Sequence, residues 1–360
     1  MKYMLWLYKA KGISNEERIL LHRVFSTAKD VYEAPEDKIQ SLSFLTPAKK
    51  HILINHQKES PDKMYSELSD RGISFTCLFS SEYPEKLSLI KQRPYGLYYK
   101  GDLPSLCKAV AMVGARRCSA YGKKMANDLA EALAKNGIPV ISGMARGIDG
   151  ISQRAALNAG GTTCAVLGCG VDVVYPYEHK ELYRDIIANG CVISEFEPGE
   201  EPKKSYFPAR NRLISGLSDV TVVVEAREKS GSLITADFAL SQGRDVYAVP
   251  GRITDPLSTG CNKLLSEGAG IIRSPEGFIA DILDLPVGNA FVPESDVCET
   301  YHLENEEKLV YSVLDFYAED IEYIVEKTGL SVLEVLRALL SLHDKGLCEE
   351  CFQNQYIRKT

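Results

Sequence analysis

The chain has 360 residues, 45% of them hydrophobic and 25% charged, with a formal net charge of −7. That length supports two or three domains with a substantial core, and no apolar run approaches the roughly 18 residues of a membrane span. The opening Met1-Lys2-Tyr3-Met4-Leu5-Trp6 is charged too soon for a secretory signal, so a cytoplasmic protein is expected, with its ten cysteines as reduced thiols.

Residues 1–72 read as a small helical domain. Ser14-Asn15-Glu16-Glu17 has the Ser-x-x-Glu spacing of a capping box, and Thr46-Pro47 and Ser60-Pro61 repeat a cap-then-proline start. Residues 73–285 alternate short apolar runs with helical patterns. The runs are Ala109–Gly114, Pro139–Ser142, Thr163–Leu167, Cys191–Ser194, Val220–Val224, Val246–Val249 and Gly270–Ile272, with Phe75–Leu78 and Gly96–Tyr99 upstream. Valine- and isoleucine-rich runs separated by helices predict an α/β fold with a doubly wound, Rossmann-like parallel sheet. Residues 286–304, with Pro286, Gly288, Asn289 and Pro293, read as a linker. Residues 305–360 pattern as three helices and a hairpin, the order of a winged helix.

Charge is distributed unevenly. Residues 1–107 sum to about +3 and residues 108–273 to about +2, whereas residues 274–360 hold 6 basic against 18 acidic side chains. The overall acidity therefore belongs to the tail, and the central region can still present a basic face.

Several loops after the strands carry chemistry. Phe207-Pro208-Ala209-Arg210-Asn211-Arg212 joins two apolar runs and puts cations where α/β sheets bind ligands, outside the carboxyl ends of the strands. Arginine grips phosphate with a planar fork. Gly114, Arg116 and Arg117 enter a helix whose backbone N–H groups attract anions, although a plain turn with solvated arginines accounts for them too. The spacing there is neither Gly-x-Gly-x-x-Gly nor a P-loop. Ser142 and Gly143 offer a hydroxyl donor and close backbone approach, while Asp149 reads as an N-cap before it reads as a catalytic acid. Gly168-Cys169-Gly170 is a weak signal, with Asp172 as a loop former and Lys180 within reach of a phosphate. Ser230-Gly231-Ser232 starts another helix and forms an anion nest. Phe207 and Tyr206 either stack on bases or belong to the core. Cys348-Glu349-Glu350-Cys351 is a lone pair of cysteines without a second pair, so neither a metal nor a cofactor is expected.

Together the stretches VGARRCSAYG, SGMARGID, GCGVDVVYP, FPARNRLISGLS, VVVEA, SGSLITA, AVPG and GCNKLLSEGA resemble the DNA-processing protein A family (DprA, also called Smf). The resemblance covers roughly residues 73–285 densely and the two flanking regions loosely. It implies an extended Rossmann-like domain, a SAM or helix-hairpin-helix-like front and a winged-helix tail. It also implies a cytosolic homodimer, not an enzyme, that binds single-stranded DNA, protects it and loads the recombinase RecA in natural transformation. By position it assigns DNA contacts to Arg116, Ser142, Gly143, Lys180, Phe207, Asn211 and Arg212, and less securely to Lys203 and Lys204. This chain has Gly114-Ala115-Arg116 where the family commonly has Gly-Ser-Arg, which removes one hydroxyl contact. The helix expected over 331–345 offers only Arg337, His343 and Lys345 against Glu334 and Asp344. Duplex DNA would be repelled there, so the tail reads as a protein-interaction or dimer-supporting module.

Two other readings stand beside this one. Glu225 as a catalytic acid or base would suit a nucleotide phosphoribohydrolase, but the segment 225–232 lacks that signature's Pro-Gly-Gly-x-Gly-Thr. A duplex-binding transcription regulator would use the winged helix, against which the acidic tail argues.

Overall fold

The computed structural model describes residues 1–104, 108–283, 303–315, 318–352 and 354–359. Six helices come first: α1 (Lys2–Lys9), α2 (Asn15–Phe25), α3 (Ala28–Tyr32), α4 (Glu36–Gln40), α5 (Pro47–His56) and α6 (Pro61–Asp70). The Ser14 capping box closes in both directions, with its hydroxyl accepting from the Glu17 N–H and the Glu17 carboxylate accepting from the Ser14 N–H. Thr46 and Ser60 cap α5 and α6 ahead of a proline in the first turn. Trp6, fully buried, donates its indole N–H to the His56 carbonyl at 2.9 Å and stacks on the His56 ring at 5.0 Å.

Burial holds the His56 imidazole below its ordinary pKa, against the opposing pull of the Trp6 carbonyl it bonds. The folded state thus prefers the neutral ring. Its contribution to stability is present above the unfolded value of about 6.5 and is lost as pH falls through the lower folded value. The drop in melting temperature between about pH 7.5 and about pH 5 should accordingly shrink in a His56→Gln variant. An equal drop in both proteins would clear His56 of that role.

The centre of the molecule is a nine-stranded sheet. Its strands are β1 (Ser74–Cys77), β2 (Gly96–Gly101), β3 (Val110–Val113), β4 (Val140–Ser142), β5 (Thr163–Val166), β6 (Cys191–Ser194), β7 (Val220–Val223), β8 (Asp245–Ala248) and β9 (Gly270–Ile271). They lie in the order β1-β2-β6-β5-β4-β3-β7-β8-β9. Neighbours from β6 to β9 pair in parallel, and β1 and β2 extend the edge as antiparallel strands. The doubly wound expectation holds: the sequence travels outward from β3 to β6, then returns across the sheet to β7 on the other side of β3.

The helices among and after the strands cover both faces, which is why the central strands are buried along their length and largely apolar. They are α7 (Glu85–Ser88), α8 (Ala120–Lys135), α9 (Ile148–Asn158), α10 (Lys180–Asn189), α11 (Tyr206–Leu217), α12 (Gly231–Ser241), α13 (Thr259–Ser266) and α14 (Pro275–Ile282). One face packs Leu213, Ile214 and Leu217 of α11 with Ala236 and Ala239 of α12. The other packs Leu129, Ala130 and Leu133 of α8 with Ala156 and Phe278. The helical front joins the antiparallel edge, where Tyr8 meets Phe75 and Tyr98 at 5.3 and 5.5 Å and donates to the Glu195 carbonyl.

The tail has its own core around Val310, Ile324, Leu339 and Leu342. It consists of α15 (Asn305–Val313), β10 (Glu319–Asp320), α16 (Ile321–Thr328), α17 (Val332–Asp344), β11 (Cys348–Phe352) and β12 (Gln355–Arg358). The expected three helices and hairpin are present, and β10 adds a short strand beside β12. Gly329 ends α16 in the left-handed conformation at φ 69°, as a C-terminal glycine does. Of the linker expected over 286–304, residues 286–302 lie outside the described residues.

Candidate nucleic-acid interface

The strand order reverses between β3 and β7, and an open α/β sheet offers its ligand crevice at such a point. A cleft of about 780 Å3 lies there, built from the loops after β3, β4 and β7 and from the start of α11. Arg116, Arg117, Lys204, Arg227 and Lys229 line it as exposed cations. Asp149 is the only acid among the described residues that line it, and it is 8% exposed. Ser230, Gly231 and Ser232 bring the N-terminus of α12 into the same wall. The cleft therefore combines excess positive charge with the positive end of a helix, the chemistry of a phosphate site.

The loop after β3 works through its side chains. Gly114 has no room for a side chain, because a Cβ would meet Ile148 and the Glu225 carbonyl. Arg116 and Arg117 extend from it into solvent. The N-terminus of α8 does not serve as an anion site. The Glu225 carboxylate fills it, accepting from the Ser119 N–H at 2.9 Å and from the Ser119 hydroxyl. Burial raises the Glu225 carboxyl pKa while these bonds oppose the rise. The group considered as a catalytic acid or base is thus spent on a helix terminus and does not line the cleft.

The loop after β4 departs from expectation. Ser142 is fully buried and donates its hydroxyl to the Met112 carbonyl at 2.6 Å, so it ties β4 to β3 and cannot reach a phosphate. Gly143 is also buried. Its missing side chain makes room for the Arg210 guanidinium, which would overlap a Cβ there. Asp149 is the second residue of α9, behind Gly147, and not its N-cap. Its carboxylate accepts from the Gly143 N–H at 3.2 Å.

The Phe207–Arg212 segment is helical, and the helix divides its side chains among three directions. Phe207 and Asn211, one turn apart, face the cleft. The Arg116 guanidinium lies 5.6 Å from the Phe207 ring centre, and the Tyr175 ring centre is also 5.6 Å from it. Between Phe207, Tyr175, Gly168 and Arg210 a small side pocket opens beside the cleft. Asn211 accepts from the Arg210 Nε–H at 3.2 Å and donates to the Gly231 carbonyl at 3.3 Å, joining α11 to α12. Arg210 points inward. It is 4% exposed and donates to the Gly143 carbonyl at 2.9 Å and to the Val166 carbonyl, forming the floor of the cleft. Arg212 turns to the far flank and pairs with Glu195. The two arginines expected to grip a ligand are therefore both buried, because each lies on a face of α11 that packs against the rest of the domain.

Lys180 is exposed at the first turn of α10 with its ammonium 5.7 Å from the Tyr177 ring, and it does not line the cleft. Lys203 is held by Glu200 at 3.0 Å and by the Tyr206 hydroxyl at 2.7 Å, whereas Lys204 is in the wall. Asp172 acts as a loop former, accepting from the Gly199 N–H at 2.7 Å. Sequence reasoning missed Arg227, Lys229 and Tyr175. The signal for the first two was present, since both cations lie within three residues before the Ser230-Gly231-Ser232 nest.

Among the described residues, no three His, Cys, Asp or Glu side chains come together as metal ligands, and no helix is long and apolar enough to cross a membrane.

A sequence profile described as DNA recombination-mediator protein A matches residues 74–283. The DNA processing protein DprA of Streptococcus pneumoniae is 47% identical over 201 residues, which are 55% of this chain and 71% of that protein. The X-ray structure of DNA processing protein A from Streptococcus pneumoniae aligns with a TM-score of 0.67 at 36% identity, over 78% of this chain and 98% of that one. A structure of DNA processing protein A from Helicobacter pylori, reported for its single-stranded DNA binding mode, aligns with a TM-score of 0.54 at 35% identity, over 59% of this chain and 96% of that one. The profile covers more than half of the chain and contains every strand of the central sheet, so the chain belongs to the DNA recombination-mediator protein A family.

Proposed function

We propose that this protein binds single-stranded DNA in the cleft between the ends of β3 and β7. The observation that carries this reading is the wall of five exposed cations around a half-buried phenylalanine. Arg116, Arg117, Lys204, Arg227 and Lys229 supply charge for the phosphates, and the N-terminus of α12 adds backbone donors. Phe207 supplies a ring on which an unpaired base stacks. A duplex hides its base faces and gains nothing from that ring. The single-stranded DNA binding reported for the Helicobacter pylori relative supports the same assignment.

In this reading the protein works in the cytoplasm as a homodimer and without catalysis. It shields incoming strands and hands them to the recombinase RecA during natural transformation and DNA processing, as its family membership suggests. The acidic tail, read as a winged helix, contributes protein contacts and leaves the DNA to the cleft.

Fluorescence anisotropy with a labelled single strand and its duplex, across a salt series, tests the reading. Single-strand affinity should exceed duplex affinity. It should also fall with salt at a log–log slope of about −3.5, from roughly 0.7 for each of five neutralised phosphates on a single strand. Equal affinity for both forms, or binding indifferent to salt, would remove the cleft from its assigned role.

A further inference from the structure

Helix α11 has a second flank. Arg212 follows Asn211 by one residue and so points about 100° away from it around the axis. It reaches a separate hollow of about 520 Å3, enclosed by α2, residues 91–93 and α11 itself. Arg23, Lys91, Arg93 and Arg212 all line this hollow. Arg23 and Lys91 are exposed, and Arg93 is half-buried with one N–H given to the Ser88 carbonyl at 3.2 Å. None of these three is paired with a carboxylate among the described residues. Arg212 has a side chain only 10% exposed. Glu195 neutralises its charge, yet its buried Nη1 has no hydrogen-bond partner among the described residues. Among the described residues Glu16 is the only acid that lines the hollow, and Ile19 and Leu20 give it an apolar side.

Three cations gathered around one concavity repel one another, and a bound anion relieves that repulsion. The position of the hollow indicates which anion. Phe207 and Asn211 place the first cleft on the same helix, and Arg212 lies five residues beyond Phe207, about 7.5 Å along the axis at 1.5 Å per residue. Five residues also turn about 140° around the axis, so a single strand that reaches both sites passes around α11. We propose that the hollow is a second phosphate-binding site, taking the backbone of the same single strand where it runs on from the first cleft. This inference rests on the single-strand reading of that cleft.

The test compares the wild-type full chain with a double variant, Arg23→Glu with Lys91→Glu, on labelled oligothymidylates. Both substituted side chains are exposed and lie outside the first cleft. A strand of about 6 nucleotides fills one site, and one of about 24 nucleotides reaches both. The variant should bind the long strand at least about tenfold more weakly, with its salt slope reduced by about 1.4 for two lost phosphate contacts. It should bind the short strand as the wild type does. An unchanged affinity and slope for the long strand would overturn the proposal. So would an equal loss on both lengths, which marks a general charge effect. If the wild type binds neither strand, the reading of the first cleft fails and this site fails with it; wild-type binding of both without a length-dependent loss sinks the second site alone.

Discussion

A Phe207→Ala variant is expected to bind single-stranded DNA roughly 5- to 150-fold more weakly than the wild type. That range corresponds to about 1–3 kcal/mol for one base stacked on an aromatic ring. The ring is suited to this because it is half-buried and lines the cleft, with the Arg116 guanidinium and the Tyr175 ring each 5.6 Å from its centre. The loss should leave the salt slope unchanged, since no cation is removed. Arg116→Ala should do the converse, reducing the slope by about 0.7 while the phenylalanine remains. Phe207→Tyr keeps the stacking face and should stay within about twofold of wild type. Anisotropy titrations of the three variants across a salt series separate these effects. A Phe207→Ala protein with wild-type affinity would show that the ring only fills space.

Arg210→Met should instead unfold the domain more easily, by about 3–5 kcal/mol, the usual cost of stripping a buried charge of its partners. The guanidinium is 4% exposed and holds the carbonyls of Gly143, just after β4, and Val166, at the end of β5. It also provides the positive charge that keeps Asp149 from being a lone buried anion. Burial already pushes the Asp149 carboxyl pKa upward, and Arg210 is the strongest influence pulling it back. A second variant, Arg210→Met with Asp149→Asn, should recover part of the loss, because it removes the orphaned charge together with its partner. Urea unfolding with both variants measures this. If Arg210→Met melted like the wild type and lost only DNA affinity, Arg210 would be a direct ligand contact and the structural assignment would be wrong.

The contrast between Phe207 and Arg210 shows where sequence reading succeeded and where it stopped. The strands were legible because parallel strands buried on both faces carry uninterrupted valine and isoleucine. Cys191–Ser194, for example, was read to the residue and is wholly buried. The helix start at Ser14 was legible because a capping box is a local motif whose two hydrogen bonds close within four residues. The side-chain directions of residues 207–212 were not legible in the same way. They depend on α11 starting at Tyr206 and on which of its faces lies against the sheet. A motif of arginines beside a strand end reads as a ligand grip when taken as a loop. Taken as a helix, it sends Arg210 to the floor and Arg212 to the opposite flank.

Ser142 and Glu225 make the same point. Each is a polar residue at the end of a central strand, which is where ligand-binding groups belong. Each is satisfied inside the protein, Ser142 by the Met112 carbonyl and Glu225 by Ser119 across a separation of 106 residues. Polar groups so deeply buried must find partners, and which partners are within reach is a property of the packed sheet. Composition and periodicity by themselves determined the α/β class, the doubly wound sheet and the supply of glycines and cations at its strand ends, because these follow from local hydrophobic pattern and turn chemistry. Only the tertiary structure decided which cations remain free in the cleft and which are consumed in holding it together, because that depends on contacts between loops far apart in the chain.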